Sequence, residues 1–134
     1  MRKVLVGGCF DILHYGHLHF LREAKKLGDY LIVALESDAN IKRLKGKNRP
    51  IHTQTQRKEI LESLKFVDEV YPLPEMKSDT DYAEMVRQIA PDIIAVTEDF
   101  KSQTHAHLVN AKVVKIPKVK TFSTTQIAKL LKLG

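Results

Sequence analysis

The sequence predicts an α/β domain in which five parallel strands form one sheet with helices on both of its faces. Three observations lead there. Short apolar runs alternate with amphipathic stretches from one end of the chain to the other. The run Tyr30-Leu31-Ile32-Val33-Ala34-Leu35 is apolar throughout, the pattern of a strand buried on both faces of a parallel sheet. No hairpin signal joins neighbouring runs, so each connection is a crossover through a helix. At 134 residues the chain supports a single sizeable core in a single domain.

Each element has its own local reason. Val4-Leu5-Val6 is the first strand and ends at Gly7-Gly8. A helix is expected from about Gly16 to Leu27, with Leu18, Phe20, Leu21, Ala24 and Leu27 turned inward and Gly28 as the left-handed residue that stops it. The 30–35 run is the second strand. Residues 40–49 hold Lys42, Arg43, Lys45, Lys47 and Arg49 around Gly46 and read as a mobile basic loop. Thr53 with Gln56 forms a capping box that opens a helix with Ile60, Leu61 and Leu64 inside. Val70-Tyr71 is a short third strand closed by Pro72 and Pro74. A helix from about Asp79 to Ala90 repeats Tyr82, Met85, Val86 and Ile89 at i, i+3, i+4 and i+7. Ile93–Val96 and Val113–Ile116 are strands four and five, and Ser123 with Gln126 caps a last helix holding Ile127, Leu130 and Leu131. Ligands of such sheets bind beyond the carboxyl ends of the strands, where strand order switches. That rule points to the loops after strands one, four and five.

Composition narrows the function. The chain is 43% hydrophobic and 28% charged, and no apolar run approaches the ~20 residues of a membrane span, so no membrane role is expected. Met1-Arg2-Lys3 precedes only a short apolar stretch, which predicts no signal peptide. A single cysteine, Cys9, forms no internal disulfide and suits a reducing cytoplasm. Lys and Arg number 22 against 16 Asp and Glu, and the resulting net charge of +6 favours anionic partners. Aromatic content is only 7% with no Trp, and the basic residues concentrate around 42–49 rather than forming an aromatic-studded stripe. Nucleic acid is therefore not the expected partner.

The densest chemistry lies in Gly7-Gly8-Cys9-Phe10-Asp11-Ile12-Leu13-His14-Tyr15-Gly16-His17. Two glycines leaving a strand let the backbone approach a bulky anion. His14 and His17 lie three apart at a helix start, so both rings can face one side of its first turn, at the positive end of the helix dipole. That set suits a phosphate. A zinc pair and two plain surface histidines are the other readings; zinc would need further ligands from His19, His52, His105, His107 or Cys9, none at ligand spacing. The Gly-x-Gly-x-x-Gly run of a dinucleotide fold is absent. Ser123-Thr124-Thr125 is a second phosphate candidate: capping occupies Ser123 and Gln126 and leaves the two threonines free at a helix N-terminus.

The 7–17 stretch resembles the HxGH signature of the cytidylyltransferase-like nucleotidyltransferases, a Rossmann-like α/β group. The resemblance continues along nearly the whole chain. Lys26-Leu27-Gly28-Asp29-Tyr30 through Ser37-Asp38 is similar to glycerol-3-phosphate cytidylyltransferases. Lys42-Arg43-Leu44-Lys45-Gly46, Arg49-Pro50 and Gln56-Arg57 are similar to the adenylyltransferase domains of heptose-1-phosphate enzymes. Ser123-Thr124-Thr125-Gln126-Ile127 resembles the Ser-Thr-Thr signature of both. Two segments depart from the pattern. Thr97-Glu98 replaces the small residues before Asp99-Phe100, and Lys118, Lys120 and Thr121 stand where the glycerol-3-phosphate enzyme has arginine, glutamate and glycine.

The resemblance implies attack of a substrate phosphate oxygen on the α-phosphorus of a nucleoside triphosphate, with release of pyrophosphate. It implies catalytic roles for His14, His17 and Lys45, and nucleotide binding by Gly8, Cys9, Phe10, Gly16, Lys42, Arg57, Asp99, Ser123, Thr124 and Thr125. Arg57 would anchor phosphate or fix the basic loop. Asp11 and Asp38 are placed as substrate-binding, with Asp11 orienting a histidine or the substrate and Asp38 also able to close the second strand. Cys9 stands where the family commonly has threonine and reads as a small packing residue. Mg²⁺ would arrive on the triphosphate, with no protein metal site. The partners are then a nucleoside triphosphate and a small phosphorylated acceptor, and the family's frequent dimers make a homodimer an expectation. ATP is placed ahead of CTP, with a sugar phosphate as acceptor. A CTP-dependent enzyme acting on a polyol phosphate, an FMN adenylyltransferase, and a nucleotide sensor without turnover are the competing readings.

Overall fold

The computed structural model describes residues 1–119 and Lys129. Its strands are β1 (Lys3–Gly8), β2 (Tyr30–Leu35), β3 (Glu69–Pro72), β4 (Ile93–Thr97) and β5 (Lys112–Ile116). Its helices are α1 (Tyr15–Lys25), α2 (Asp38–Lys45), α3 (Gln54–Glu62) and α4 (Asp79–Ile89), with a 3-10 turn at Ala106–Leu108. The strands form one sheet in the order β3-β2-β1-β4-β5, every pairing parallel. The chain therefore winds outward from β1 to β3, then crosses back to lay β4 on the other side of β1. The switch in direction falls between β1 and β4, the position at which such sheets bind ligands.

Two apolar layers hold this sheet. Val4 and Val6 point to one face and pack with Leu21 and Ala24 of α1 and Leu61 of α3. Leu5 points to the other, where Ile32, Ile94 and Val96 meet Val86 and Ile89 of α4. The period-two alternation of β1 thus distributes its side chains between the layers. The capping box at Thr53 is present in both directions, with Thr53 Oγ1 accepting from Gln56 N–H and the Gln56 side chain from Thr53 N–H.

Three expectations are corrected. Gly28 is not a left-handed stop: Lys26 caps α1 in right-handed helical geometry. A Cβ at residue 28 would lie 2.7 Å from the Arg2 carbonyl oxygen and 2.8 Å from Val4 Cγ2, so glycine is required there by a close approach to the strand. The 40–49 stretch is not all loop, because α2 takes Lys42, Arg43 and Lys45 into its last turn. Ser37 caps that helix by accepting from Asn40 N–H, and Gly46 ends it at φ 107°. Ile60 sits on the outer side of α3 and is exposed, and Arg57 takes the inward position instead. The helix expected to start at Ser123 lies outside the described residues.

Candidate active site

β1 pairs with β2 along its whole length, from Lys3↔Tyr30 to Gly8↔Leu35, but with β4 only at Val4↔Ile93 and Leu5↔Ile94. Beyond Leu5 the strands part, and a cavity of about 910 Å³ opens at the switch point. Gly8, Cys9, Phe10, Asp11, His14, Gly16, His17 and Lys45 all line it.

His14 is the N-cap of α1. Its Nδ1 accepts from Gly16 N–H at 3.0 Å, while His17 Nδ1 accepts from His14 N–H at 3.3 Å. The two rings stack with centroids 3.9 Å apart. An Nδ1 that accepts leaves the proton of a neutral imidazole on Nε2, so the cap sets the His14 tautomer. Burial pushes the His17 pKa down to about 4, with His14 and Lys45 adding to the effect and a backbone contact at Ile12 opposing it. Burial also lowers the His14 pKa. Both rings are neutral donors near pH 7.

Phe10 stands behind this pair. Its ring is buried in the core and meets His17 edge-on with centroids 5.3 Å apart. The same ring explains Gly8, where a Cβ would lie 2.7 Å from Phe10 Cε2. Phe10 holds a left-handed φ of 44°, which aims the ring inward as the backbone turns past the site. The Cys9 thiol is half-buried and pushed up in pKa by that burial, with Lys45 working against it.

Three of the residues assigned to ligand binding, Asp11, Arg57 and Asp38, are engaged with the protein. Asp11 is buried; its carboxylate binds Arg49 Nε at 2.8 Å and accepts from the Ile51 and His52 amides. Burial raises its pKa, but those hydrogen bonds outweigh it and hold the carboxyl below the usual range. Arg57 is fully buried: Nη2 binds Asp38 at 2.7 Å, Nη1 the Cys9 carbonyl at 2.8 Å and Nε the His52 carbonyl at 3.1 Å. All three guanidinium nitrogens have partners, so Arg57 ties the β1 loop, the start of α2 and the segment before α3 together. Asp38 is its counter-ion.

Lys42 is exposed on α2 and does not line the cavity. Asp99 is exposed and does not line the cavity; it binds Lys118 Nζ at 2.6 Å and accepts from Thr97 Oγ1 at 2.8 Å, and Lys118 holds its pKa down. Phe100, its neighbour, lines the mouth. His19 also borders the cavity, with its ring 6.5 Å from that of Tyr15. Ser123, Thr124 and Thr125 lie outside the described residues. Among the described residues no group of three or more His, Cys, Asp or Glu is arranged to hold a metal ion.

Sequence reasoning gave no individual site role to Arg49, Glu36 and Tyr82. Arg49 is found only through its pairing with Asp11. Glu36 follows a strand end directly, which the switch-point rule could have brought into view for β2.

Comparison with known proteins agrees with this geometry. The profile of the cytidylyltransferase-like family matches residues 5–129. A FAD synthase of Thermococcus kodakarensis is 41% identical over 122 residues, which make up 86% of this chain and 79% of that protein. The bifunctional protein HldE of a Nitratiruptor species is 44% identical over 132 residues, covering 98% of this chain but only 28% of its own length. Among solved structures, a lipopolysaccharide core biosynthesis protein of Thermoplasma volcanium superposes with a TM-score of 0.73 at 33% identity, over 90% of this chain and 99% of that one. The switch-point cavity, its capped histidine pair and the match across most of the sequence lead to one conclusion: the chain belongs to the cytidylyltransferase-like family and is a nucleotidyltransferase.

Proposed function

We propose that the protein transfers AMP from ATP to a small phosphorylated acceptor such as a sugar phosphate, releasing pyrophosphate. The observation that carries this reading is the stacked, neutral His14–His17 pair at the start of α1, beside Lys45, on the cavity between β1 and β4. An acceptor phosphate oxygen attacks the α-phosphorus in line, and the bond from that phosphorus to the bridging oxygen breaks to give pyrophosphate. No protein nucleophile takes part, so the catalytic effect is positioning and charge stabilisation.

In this reading His14 and His17 donate to α-phosphate oxygens as charge builds there. Being neutral already, they need not lose a proton first. Lys45 faces the incoming anion, and the backbone at Gly8, Cys9 and Phe10 lies along the nucleotide. The Gly16 amide is taken up by His14, so Gly16 contributes room rather than a donor. Lys42 adds attraction at longer range. Ser123, Thr124 and Thr125 are assigned to the outer phosphates, and Asp99 to the base side. Mg²⁺ is taken as part of the nucleotide substrate. A cytoplasmic homodimer remains part of the proposal, and light scattering tests its assembly.

FMN as the acceptor is a second reading, favoured by the FAD synthase relatives, of which the chain spans 79%. Pyrophosphate release decides among these. Each nucleoside triphosphate is paired with a sugar phosphate, FMN and glycerol 3-phosphate, with Mg²⁺ and then with EDTA. ATP supporting the fastest release is the expected result. CTP as the better donor would overturn the choice of nucleotide, and nucleotide binding without release under any pairing would overturn the transfer reading.

A further inference from the structure

The transfer step leaves one part of the cavity without a role. Glu36 follows β2, and its backbone N–H donates to the Gly8 carbonyl at 3.0 Å, which sets it next to the loop leaving β1. Its Oε2 accepts from the Tyr82 hydroxyl at 2.8 Å, and that hydroxyl accepts from Asn40 Nδ2 at 3.1 Å. Asn40, 1% exposed, also donates to the Met76 carbonyl. Burial first, then the bond to Glu36, pushes the Tyr82 pKa up to about 12, so the phenol remains a donor. A buried brace thus fixes a half-buried carboxylate that lines the cavity.

Among the described residues the other oxygen of that carboxylate, Oε1, has only a 3.4 Å contact from the Ser37 amide. Of the other acids lining the cavity, Asp11 is bound to Arg49 and Asp79 to His105. Among the described residues Glu36 has no cationic partner within ion-pair distance. Glu36 and Lys45 line the same cavity as Cys9 and act with opposite sign on its thiol, so the site holds both an anionic and a cationic group. A phosphate settles at the lysine and is repelled by the carboxylate. Hydroxyl groups suit the carboxylate, which accepts and has nothing to donate. An ammonium group is disfavoured because Lys45, Arg49 and Lys118 also line the cavity.

We propose that Glu36 is a specificity-determining residue that accepts hydrogen bonds from hydroxyl groups of the acceptor, which is therefore a polyhydroxylated phosphate ester lying with its phosphate toward Lys45. The proposal rests on the nucleotidyl-transfer reading for the word acceptor, but its test is a binding measurement. Calorimetry in the presence of Mg²⁺ and α,β-methylene-ATP compares ribitol 5-phosphate, n-pentyl phosphate and phosphoethanolamine. The wild-type protein is expected to bind ribitol 5-phosphate at least ~10-fold more tightly than pentyl phosphate. Glu36→Gln reduces that preference by about 10-fold without weakening pentyl phosphate binding, and Tyr82→Phe, which frees the carboxylate to move, gives a smaller loss. Equal binding of the two phosphates by wild type, a preference retained in Glu36→Gln, tighter binding of phosphoethanolamine, or no binding of any probe would each overturn it. If Glu36→Gln does not fold, the wild-type comparison decides alone. Absence of pyrophosphate release, measured separately, bears on the transfer reading and not on this one.

Discussion

The depressed pKa of His17 makes stability depend on pH in a way that can be isolated. An unperturbed histidine titrates near 6.5, whereas burial brings this ring to about 4. Above pH 6.5 both the folded and the unfolded chain hold the ring neutral, and its contribution to folding does not change with pH. Between 6.5 and 4 the unfolded chain takes up a proton that the folded chain refuses, so stability falls as pH falls. Below 4 both states are protonated and the loss is complete. At ~1.36 kcal/mol per pH unit the full effect is roughly 3 kcal/mol, and the ring's partial contact with solvent screens it to about 2 kcal/mol. Urea unfolding at pH 7.5, 6.5, 5.5 and 4.5, for wild type and for His17→Gln, cancels every other titration in the difference. That difference should shrink by about 2 kcal/mol across the window, nearly all of it below pH 6.5. Parallel stability curves, or an NMR titration of His17 with its midpoint near 6.5, would refute the burial argument and with it the neutral state of the pair.

Three further outcomes are expected. Lys45→Ala slows turnover ~10²-fold or more, read by pyrophosphate release, because the charge faces the site, whereas the exposed Lys47→Ala stays within about twofold. Arg57→Ala destabilises by about 3 kcal/mol in denaturant titration, since it strands the Cys9 and His52 carbonyls and empties a fully buried position; Arg57→Lys recovers little because an ammonium cannot replace the three-way fork. Gly28→Ala costs about 1–3 kcal/mol by thermal melting, because the new methyl meets the Arg2 carbonyl, a backbone atom with no rotamer to change.

What the sequence disclosed, and what it hid, follows from the range over which each cause acts. The 30–35 strand, the Thr53 capping box and the α4 periodicity are local patterns, and each appears where its residues predict. The histidine pair was legible for the same reason, because both rings and their cap lie within four consecutive residues. α2 was local too, but its basic residues drew attention away from the signals at its ends. Ser37 as a cap, Asp38 in the first turn, three cations in the last and Gly46 beyond are a helix matched to its own dipole. Gly28 was misread, and the contacts of Arg57 and Asp11 were hidden, because their reasons lie elsewhere in the chain. Residue 28 answers to Arg2, residue 57 to Cys9 and Asp38, residue 11 to Arg49. No pattern within a window of neighbours reports such partners. Glu36 shows the same limit: its meaning comes from Tyr82, 46 positions away.

The early end of the β1–β4 pairing has a mechanical consequence. β3, β2 and β1 form one half of the sheet and β4 with β5 the other, and the two are stitched by a seam that stops at Leu5↔Ile94. A molecule seated beyond that point touches both halves and lengthens the seam with contacts the polypeptide does not make for itself. If nucleotide binds as proposed, it acts as a clasp as well as a reactant. Occupancy at ~100 times its dissociation constant adds about 2.7 kcal/mol to the cohesion of the whole sheet. Among the described strands the join with the fewest paired residues is the one that a molecule at the switch point would fasten.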